Sequence, residues 1–390
     1  MKIAAPLAVP QRVLLGPGPS DVAPSVLSAL GKPTLGHLDP LVLRAMDELR
    51  AMLQALYRTT NEWTFAVSGT GTSGMEAVLV NLIQPGERVL VAAQGYFGAR
   101  IAEIARRCGA EVAAVEGEWG QPADVEALRR AAQGRCTLLC AVQAETSTGV
   151  LQDLRPLRKL ADELGALLLV DAVTSLGCVP LEVDAWGIDA VWSCSQKGLS
   201  CTPGLAPVSF SARAVERIRA RKSKAASFYL DAGLMMDYWS GPRGYHHTAS
   251  SNLLWALHEA VRLALEEGLE ERWERHRRMG AALAAGLEVL GLELLAPPAH
   301  RLPQLTAVRI PEGLDDLRIR KRLLEEYGVE IGGGLGPLKG KAWRVGLMGC
   351  GATRRNVALA LTALAGALSS EGWKARGDGA AAALRALDAR

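Results

Sequence analysis

The stretch Ile188-Asp189-Ala190-Val191-Trp192-Ser193-Cys194-Ser195-Gln196-Lys197-Gly198 decides the fold. Its first half is a short apolar run typical of a buried strand, and its second half is a turn of small residues that carries one lysine. A lysine at the exit of a buried strand loses solvent, which lowers its pKa and favours nucleophilic attack on a carbonyl group. Most lysines are solvated surface charges, so Lys197 predicts chemistry only if neighbouring strands bring other reactive groups to it.

The alternation of apolar strand and helix continues along the chain up to about residue 210. Helical stretches separate most of the predicted strands, which lie at residues 63–67, 88–93, 111–115, 137–142, 166–170, 190–193 and 206–210. Such alternation predicts an α/β fold with a mostly parallel sheet flanked by helices on both faces. Ligands of these sheets bind at the carboxyl ends of the strands, and Lys197 follows such an end.

The length of the chain, 390 residues, exceeds what one hydrophobic core normally supports and predicts two domains. After about residue 249 the pattern changes to long helices and short strands, which indicates a smaller α+β unit. We therefore predict an N-terminal arm and substrate loop at residues 1–20, a large domain at 21–250 and a small C-terminal domain at 251–390.

Charge and cysteine content restrict the possible partners and the compartment. The net charge of +3 is small and scattered, which gives no reason to expect a nucleic-acid or membrane partner. No apolar stretch is long enough to suggest a membrane span or a secretory signal. The seven cysteines, an odd number without a C-x-x-C pair, predict free thiols in a reducing cytoplasm.

A glycine-rich turn, Ser68-Gly69-Thr70-Gly71-Thr72-Ser73-Gly74, lies between a predicted strand and a predicted helix. Its glycines match the G-x-G-x-x-G fingerprint of dinucleotide-binding oxidoreductases. That fingerprint also requires an acidic residue about 20 residues further on, at the end of the second strand. The chain has Val91-Ala92-Ala93-Gln94-Gly95 there, with no acidic residue. Backbone N–H groups at a helix N-terminus bind phosphate in either case, so the turn predicts a phosphate site rather than an NAD site.

A second reactive group follows the apolar run Leu167-Leu168-Leu169-Val170, where Asp171 ends the strand. Asp171 precedes Lys197 by one strand–helix unit, so both are expected at the same edge of the sheet. A phosphate cup, a carboxylate and a lysine at neighbouring strand ends are what pyridoxal phosphate requires. The lysine bonds to the aldehyde of the cofactor, and the carboxylate keeps the pyridine nitrogen protonated so that the ring accepts electrons.

A series of short motifs extends these observations from about Leu14 to about Leu368. In chain order they are Leu15-Gly16-Pro17-Gly18-Pro19-Ser20, Val67-Ser68-Gly69-Thr70-Gly71, Glu145-Thr146-Ser147-Thr148-Gly149-Val150, Val170-Asp171-Ala172-Val173, Gly187-Ile188-Asp189, Ser195-Gln196-Lys197, Ser227-Phe228-Tyr229-Leu230, Tyr245-His246-His247-Thr248, and Gly333-Gly334-Leu335-Gly336-Pro337 with Arg344. With these motifs the chain resembles the alanine–glyoxylate and serine–pyruvate aminotransferases, in the class V branch of the fold-type I pyridoxal-phosphate enzymes. The resemblance implies a homodimer with shared active sites.

The resemblance also implies a role for each matching residue around the cofactor. Lys197 would carry the covalent bond and act as the base that shifts a proton. Asp171 would hold the pyridine nitrogen, Val173 and Phe97 would pack on the two ring faces, and Thr146 would donate a hydrogen bond. The residues expected around the phosphate are Ser68, Gly69, Thr70, Gly71, Thr72 and Gln196, with Tyr245 and Thr248 supplied across the dimer. Thr72 stands where relatives often carry histidine, and its hydroxyl is smaller and neutral.

The substrate is expected to be a small amino acid with a single carboxylate. The resemblance implies that Arg344 grips that carboxylate with its planar fork and that the backbone near Gly16 and Gly18 closes over it. No second arginine is evident for a side-chain carboxylate. We therefore predict transamination of alanine or serine with glyoxylate or pyruvate as the acceptor, in ping-pong order through pyridoxamine phosphate.

Several alternatives stay open at this point. They include a serine-preferring or 2-aminoethylphosphonate transaminase and a non-catalytic regulatory protein that binds the cofactor. A cysteine desulfurase would carry histidine before the lysine, where this chain has Gln196, and a cysteine on a mobile loop, for which Cys350 is the candidate. No metal site is expected, because His246 and His247 are adjacent residues that usually point opposite ways.

Overall fold

The computed structural model describes residues 5–133, 135–240 and 243–389. The strands in these ranges are β1 (Val13–Leu14), β2 (Trp63–Ser68), β3 (Arg88–Ala93), β4 (Glu111–Glu116), β5 (Leu138–Val142), β6 (Ala144–Glu145), β7 (Val150–Leu151), β8 (Leu167–Asp171), β9 (Ala190–Trp192), β10 (Leu205–Phe210), β11 (Leu305–Arg309), β12 (Val329–Glu330), β13 (Gly332–Gly333) and β14 (Ala342–Gly346). The α-helices are α1 (Pro24–Leu30), α2 (Pro40–Tyr57), α3 (Gly71–Leu82), α4 (Tyr96–Arg107), α5 (Val125–Ala132), α6 (Arg155–Leu164), α7 (Ala212–Arg219), α8 (Ala232–Trp239), α9 (Ser251–Glu267), α10 (Leu269–Val289), α11 (Asp316–Glu326), α12 (Arg354–Ser370) and α13 (Gly379–Asp388).

A seven-stranded sheet forms the centre of the larger part, in the order β2-β10-β9-β8-β5-β3-β4. Strand β10 is antiparallel to both of its neighbours, and the other ladders are parallel. The parallel strands β5 and β8 consist entirely of buried residues, as expected for a sheet covered on both faces. The predicted α/β fold with a mostly parallel sheet is confirmed.

Two main hydrophobic clusters divide the described residues. The larger one fills the space around the seven-stranded sheet, and the smaller one lies around the antiparallel sheet β11-β14-β13 and the helices α10, α12 and α13. Helix α9 contributes Leu254, Leu257 and Val261 to the larger cluster, although the predicted boundary at residue 250 assigns it to the small domain. The domain limits at residues 20 and 250 stay a prediction.

The N-terminal segment connects the two clusters. Strand β1 pairs in parallel with β12, and the buried side chain of Leu15 belongs to the smaller cluster. Five residues later, the hydroxyl of Ser20 donates to the carbonyl oxygen of Lys197 at 2.7 Å, in the larger part. The turn at residues 16–19 therefore connects the smaller part of the chain to the loop around Lys197, which follows β9 of the seven-stranded sheet. No helix among the described residues is both long and apolar enough to cross a membrane.

Candidate active site

The carboxyl ends of β8 and β9 bring the two reactive residues together. Asp171 is the last residue of β8 and lies opposite Trp192, the last residue of β9. Lys197 follows five residues later, and both side chains line one cavity of about 140 Å³. The other residues around this cavity are Thr70, Gly71, Thr72, Met75, Phe97, Arg100, Val142, Ala144, Thr146, Val173, Thr174 and Gln196.

Asp171 is buried, with only one carboxylate oxygen engaged. Its Oδ1 accepts a hydrogen bond from the backbone N–H of Val173 at 2.8 Å, while its Oδ2 has no partner among the described residues. Burial raises the pKa of Asp171 to about 7, against the lowering effects of the Val173 N–H and of the nearby indole N–H of Trp192, which itself makes no hydrogen bond within the described residues. A buried acceptor without a donor is costly, so Oδ2 indicates a ligand that donates a hydrogen bond or carries positive charge.

The amine of Lys197 meets the N-terminal turn rather than an acid. Its Nζ donates to the carbonyl oxygen of Pro17, and no carboxylate forms an ion pair with it in the part of the chain that the structure describes. Burial lowers the pKa of Lys197, and the charge of Arg344 lowers it further. Gly18 has a φ of +97°, and any side chain at that position would overlap with Lys197. The turn therefore packs directly against the amine, and the role of Gly16 and Gly18 at a substrate carboxylate stays a prediction.

The N-terminus of α3 lies where the phosphate cup is predicted, and phosphate binding there stays a prediction. The helix begins at Gly71, and the side chain of the preceding residue, Thr70, makes no capping hydrogen bond. Within the described residues, the N–H groups of Gly71 and Thr72 are left for an anion, while the Ser73 N–H donates to the carbonyl oxygen of Thr70 at 2.8 Å. A Cβ at Gly71 would approach Val173 to 3.1 Å, so glycine keeps the floor of the cup open. The Oε1 atom of Gln196 is buried beside this cup without a partner among the described residues.

Phe97 and Arg100 form one wall of the cavity, of which only Phe97 was predicted from the sequence. Phe97 lines the cavity, as predicted, and the guanidinium of Arg100 lies 4.9 Å from the centre of its ring. Arg100 Nη1 also donates to the hydroxyl of Thr72 at 3.4 Å, which places a positive charge beside the cup. Arg100 was not among the predicted site residues, although its position one helical turn after Phe97 puts both on one face of α4.

Arg344 is buried and lies next to the lysine without lining the cavity itself. Its Nε donates to the carbonyl oxygen of Gly333 at 2.8 Å, and the structure gives this guanidinium no ion pair within the described residues. Burial lowers the pKa of Arg344 to about 10. The neighbouring Arg320 is instead held by both oxygens of Asp316. Within the described part of the chain, Arg344 is thus a cation whose forked end has no protein acid to bind.

Four predicted cofactor residues lie outside the cavity of this single chain. Ser68 bonds through its hydroxyl to Nε2 of His247 at 2.7 Å, and Gly69 lies at the start of the cup with a φ of +140°. Tyr245 is 65% exposed, and its hydroxyl approaches Thr248 at 3.5 Å. Tyr245 and Thr248 therefore do not contact the chain's own cavity, and their role across a dimer stays a prediction.

The two adjacent histidines do not point apart. Nδ1 of His246 lies 2.9 Å from Nδ1 of His247, so the expectation of opposite directions is wrong. The loop bends sharply enough to bring both rings together, and His246 also bonds to the carbonyl oxygen of Phe228. Burial lowers the pKa of His247 to about 4, which keeps that ring neutral. The two histidines thus link Phe228, bonded to His246, to Ser68 at the end of β2, bonded to His247.

The comparisons with known proteins agree with this geometry. The family model described as "Aminotransferase class-V" matches residues 23–340. The chain belongs to the class V aminotransferases. The alanine–glyoxylate aminotransferase of Callithrix jacchus is 42% identical over 368 residues, which cover 93% of this chain and 89% of that protein. The (S)-ureidoglycine–glyoxylate transaminase of Bacillus subtilis strain 168 is 40% identical over 377 residues, covering 92% of this aminotransferase and 91% of the relative.

A solved structure extends the agreement to three dimensions. The alanine–glyoxylate aminotransferase from Nostoc sp. superposes on this aminotransferase with a TM-score of 0.92 and 48% sequence identity, covering 94% and 98% of the two chains. The predicted fold-type I architecture is thereby confirmed, and the oxidoreductase alternative is wrong.

The cofactor of this family, pyridoxal phosphate, suits the residues present. The unpartnered Oδ2 of Asp171 matches a protonated pyridine nitrogen, and the uncapped turn at Gly71 matches a phosphate. Lys197, with its pKa lowered by burial, suits the bond to the aldehyde.

Proposed function

We propose that this aminotransferase moves the amino group of alanine or serine to glyoxylate or pyruvate. The observation that carries the proposal is Arg344, whose guanidinium has no acid partner among the described residues and whose charge reaches Lys197. One free fork binds one carboxylate, which suits a small monocarboxylic substrate. All three relatives described above have glyoxylate in their names, which supports glyoxylate as the acceptor.

Each residue of the site has a task in this reaction. Pyridoxal phosphate, when bound, withdraws electrons from the substrate carbon so that a proton can leave it. Lys197 Nζ, whose pKa burial lowers, would take that proton and deliver it to the carbon on the other side of the amino nitrogen. Asp171 holds a positive charge through Oδ2, and Arg344 orients the substrate carboxylate. Phe97 and Val173 exclude water from the two faces of the cavity.

A panel of amino donors tests the proposed substrates. Each amino acid is mixed with the cofactor-loaded enzyme in single turnover, and the loss of the visible absorbance of the lysine-bound cofactor is followed. We expect alanine and serine to react at least about tenfold faster in kcat/KM than aspartate or glutamate, because Arg100, the other arginine at the cavity, lies over the Phe97 ring and beside the cup, where we expect it to serve the phosphate. A preference for aspartate, for 2-aminoethylphosphonate or for (S)-ureidoglycine would overturn the proposal.

The cysteine desulfurase alternative has less support. The residue before the lysine is Gln196, and Cys350 is fixed by two hydrogen bonds, its N–H to Ser200 and its thiol to the carbonyl oxygen of Asp21. This thiol is exposed, but it lies in the single helical turn Gly349–Gly351 rather than on a long loop. Release of sulfide from cysteine at a rate that matches transamination would nevertheless favour the desulfurase. A regulatory protein would instead bind the cofactor and show no absorbance change with any donor–acceptor pair.

Replacement of the proposed carboxylate fork gives a direct prediction. Arg344→Lys keeps a positive charge and loses the two parallel N–H donors, so we expect KM for alanine to rise at least about tenfold with a smaller change in kcat. Steady-state kinetics with alanine and glyoxylate measure both constants. Arg320→Lys is the matched control, because Arg320 is bound to Asp316 and should leave KM within about twofold. Equal KM effects of the two substitutions would contradict the role of Arg344.

We also propose a homodimer in which Tyr245 and Thr248 reach the partner's phosphate cup. The support is a set of exposed aromatic side chains near these residues, with Phe228 71% exposed and Tyr229 46% exposed, beyond what a monomer normally leaves in water. Sedimentation measures the assembly, and Tyr245→Phe should weaken cofactor binding without dissociating the dimer.

A cytoplasmic location is part of the same proposal, supported by seven cysteines that form no disulfide.

A further inference from the structure

Glu145 is a buried carboxylate that the reaction outlined above does not use. Only 3% of the residue is exposed, and both of its carboxylate oxygens accept hydrogen bonds. Oε2 accepts from the backbone N–H of Phe97 at 3.1 Å and of Gly98 at 3.3 Å. Oε1 accepts from the N–H and the hydroxyl of Ser147 at 3.0 and 2.6 Å.

These hydrogen bonds cap helix α4 from a distant part of the chain. The residue before the helix is Gly95, which has no side chain to serve as a cap. The first N–H of the helix, from Tyr96, is taken by the hydroxyl of Ser147 at 3.0 Å, and the next two by Glu145. A Cβ at Gly95 would lie 2.5 Å from the Ser147 hydroxyl and 2.6 Å from the Glu145 carboxyl carbon. Glycine therefore makes the room in which the carboxylate sits, and the helix dipole stabilises its charge.

The helix end that Glu145 holds carries a wall of the cofactor cavity. Phe97 lines that cavity, and its own N–H is one of the bonded groups. Thr146, the next residue after Glu145, lines the same cavity on another side. The carboxylate thus fixes two walls relative to each other, although Glu145 and Phe97 are 48 residues apart in the sequence. Burial raises the pKa of Glu145, while the bonds from Ser147, Gly98 and Phe97 lower it.

We propose that Glu145 is a positioning residue that places the ring of Phe97 against the pyridoxal phosphate. The inference rests on the proposed stacking role of Phe97. Glu145 does not line the cavity; it acts through the backbone of α4 and through Ser147, and its charge also raises the pKa of Asp171 and of Arg344.

The test replaces Glu145 by an uncharged side chain of the same size. In Glu145→Gln the amide NH2 faces N–H donors that the carboxylate formerly bound, so the start of α4 must shift. We expect the dissociation constant of pyridoxal phosphate from the apoenzyme to rise at least about tenfold, since small misplacements of a site wall have effects of this size or larger. Fluorescence titration of the apoenzyme measures that constant. The visible circular dichroism of the bound cofactor should change as well, because it reports the ring environment.

A double-mutant cycle separates positioning from general stability. Phe97→Leu alone should weaken cofactor binding, and Glu145→Gln in the Phe97→Leu background should add less than about twofold, because the residue through which it acts is absent. Asp189→Asn is the matched control: Asp189 is also buried and bonds the N–H of Leu168 at 2.9 Å, but it lies at the opposite end of β9. It should lower the unfolding temperature without changing the dichroism.

The outcomes separate this inference from the stacking role on which it rests. If Phe97→Leu leaves cofactor affinity unchanged, the proposed stacking fails. If Phe97→Leu weakens binding and Glu145→Gln adds its full effect in both backgrounds, the stacking stands and the positioning role is refuted. Should Glu145→Gln prove too unstable to load, Ser147→Ala removes one donor from Glu145 and the acceptor of the Tyr96 N–H. It should give a smaller change in affinity and dichroism in the same direction, and no change would refute the proposal.

Discussion

Lys197→Ala should abolish transamination, with kcat/KM for alanine and glyoxylate falling by at least about 10⁴-fold. The substitution removes two functions at once: the atom that bonds the cofactor aldehyde, and the base that moves the substrate proton. The rest of the cavity stays, because the lysine amine bonds only to the carbonyl oxygen of Pro17 among the described residues. The protein should therefore still fold and still bind pyridoxal phosphate, now without a covalent bond.

Two measurements distinguish this result from simple inactivation. Borohydride reduction followed by mass spectrometry should find the cofactor attached to the wild-type chain and absent from the Lys197→Ala chain. Small primary amines such as methylamine, added in excess, should restore part of the turnover, because they supply the missing base. Lys321→Ala is the matched control, since the Lys321 side chain is 71% exposed and lies on α11. Retained transamination in Lys197→Ala would refute the role of this lysine.

The residues at strand ends were predictable from the sequence because the physical cause is local. Asp171 directly follows one apolar run, and Lys197 follows another within a few residues. Each run predicts a strand, and the polar residue after it marks the carboxyl end of that strand. The glycines of the turn at 68–74 likewise indicate a helix N-terminus. Parallel pairing of β8 with β9 then needs no further information to bring Asp171 and Lys197 to one cavity.

The residues that escaped prediction act across long sequence separations. Glu145 caps α4 from 48 residues away, and a capping pattern cannot be recognised when the residue before the helix is Gly95. The carbonyl oxygen of Pro17 bonds to Lys197 from 180 residues away. Arg100 was accessible to sequence reasoning through its helical spacing from Phe97, but an arginine on a helix face is more often solvated. Such contacts depend on packing that local patterns do not specify.

The predicted boundary at residue 250 shows the same limit. The pattern of short strands alternating with helices does end after residue 249, where the long helices α9 and α10 follow. Helix α9 nevertheless packs against α1 and α2 of the larger cluster, and the smaller cluster, apart from Leu15, takes its buried residues from Met279 onward. The apolar face of a helix in the sequence predicts that this face is buried, but not which sheet it packs against. The tertiary structure is needed to assign α9 to the larger or the smaller cluster.

Asp171→Asn should have opposite effects on catalysis and on the stability of the protein without its cofactor. For catalysis we expect a loss of about 10³-fold in kcat/KM, as when other preorganised polar groups are removed from active sites. An amide cannot match the charge of a protonated pyridine nitrogen, so the cofactor would accept electrons less well. The half-reaction with alanine, followed in single turnover, measures this loss.

The stability effect follows from the raised pKa of Asp171. Burial moves that pKa from 3.8 to about 7, so between these pH values the unfolded chain releases a proton that the folded apoenzyme keeps. The contribution of this group to stability is therefore present below pH 4 and is lost as the pH rises through 7, a change of roughly 4 kcal/mol. Asp171→Asn removes the pH-dependent part of this cost. The buried amide has unpaired atoms of its own, so we expect a gain of about 2 kcal/mol at pH 8.

Urea unfolding of the two apoenzymes between pH 5 and pH 8 checks this expectation. The wild-type free energy of unfolding should fall relative to that of Asp171→Asn as the pH rises, and the two should be equal near pH 5, at which the stability already lost by ionisation of Asp171 in the unfolded chain about equals the cost of the buried amide. Saturating pyridoxal phosphate should reverse the order, because the cofactor supplies the partner that Oδ2 lacks. An apoenzyme difference that does not depend on pH would show that Asp171 is already satisfied without the cofactor. The buried carboxylate of Asp171 thus lowers the stability of the apoenzyme and serves the reaction of the holoenzyme. Its Oδ2 atom must explain both the unfolding free energies and the loss of kcat/KM.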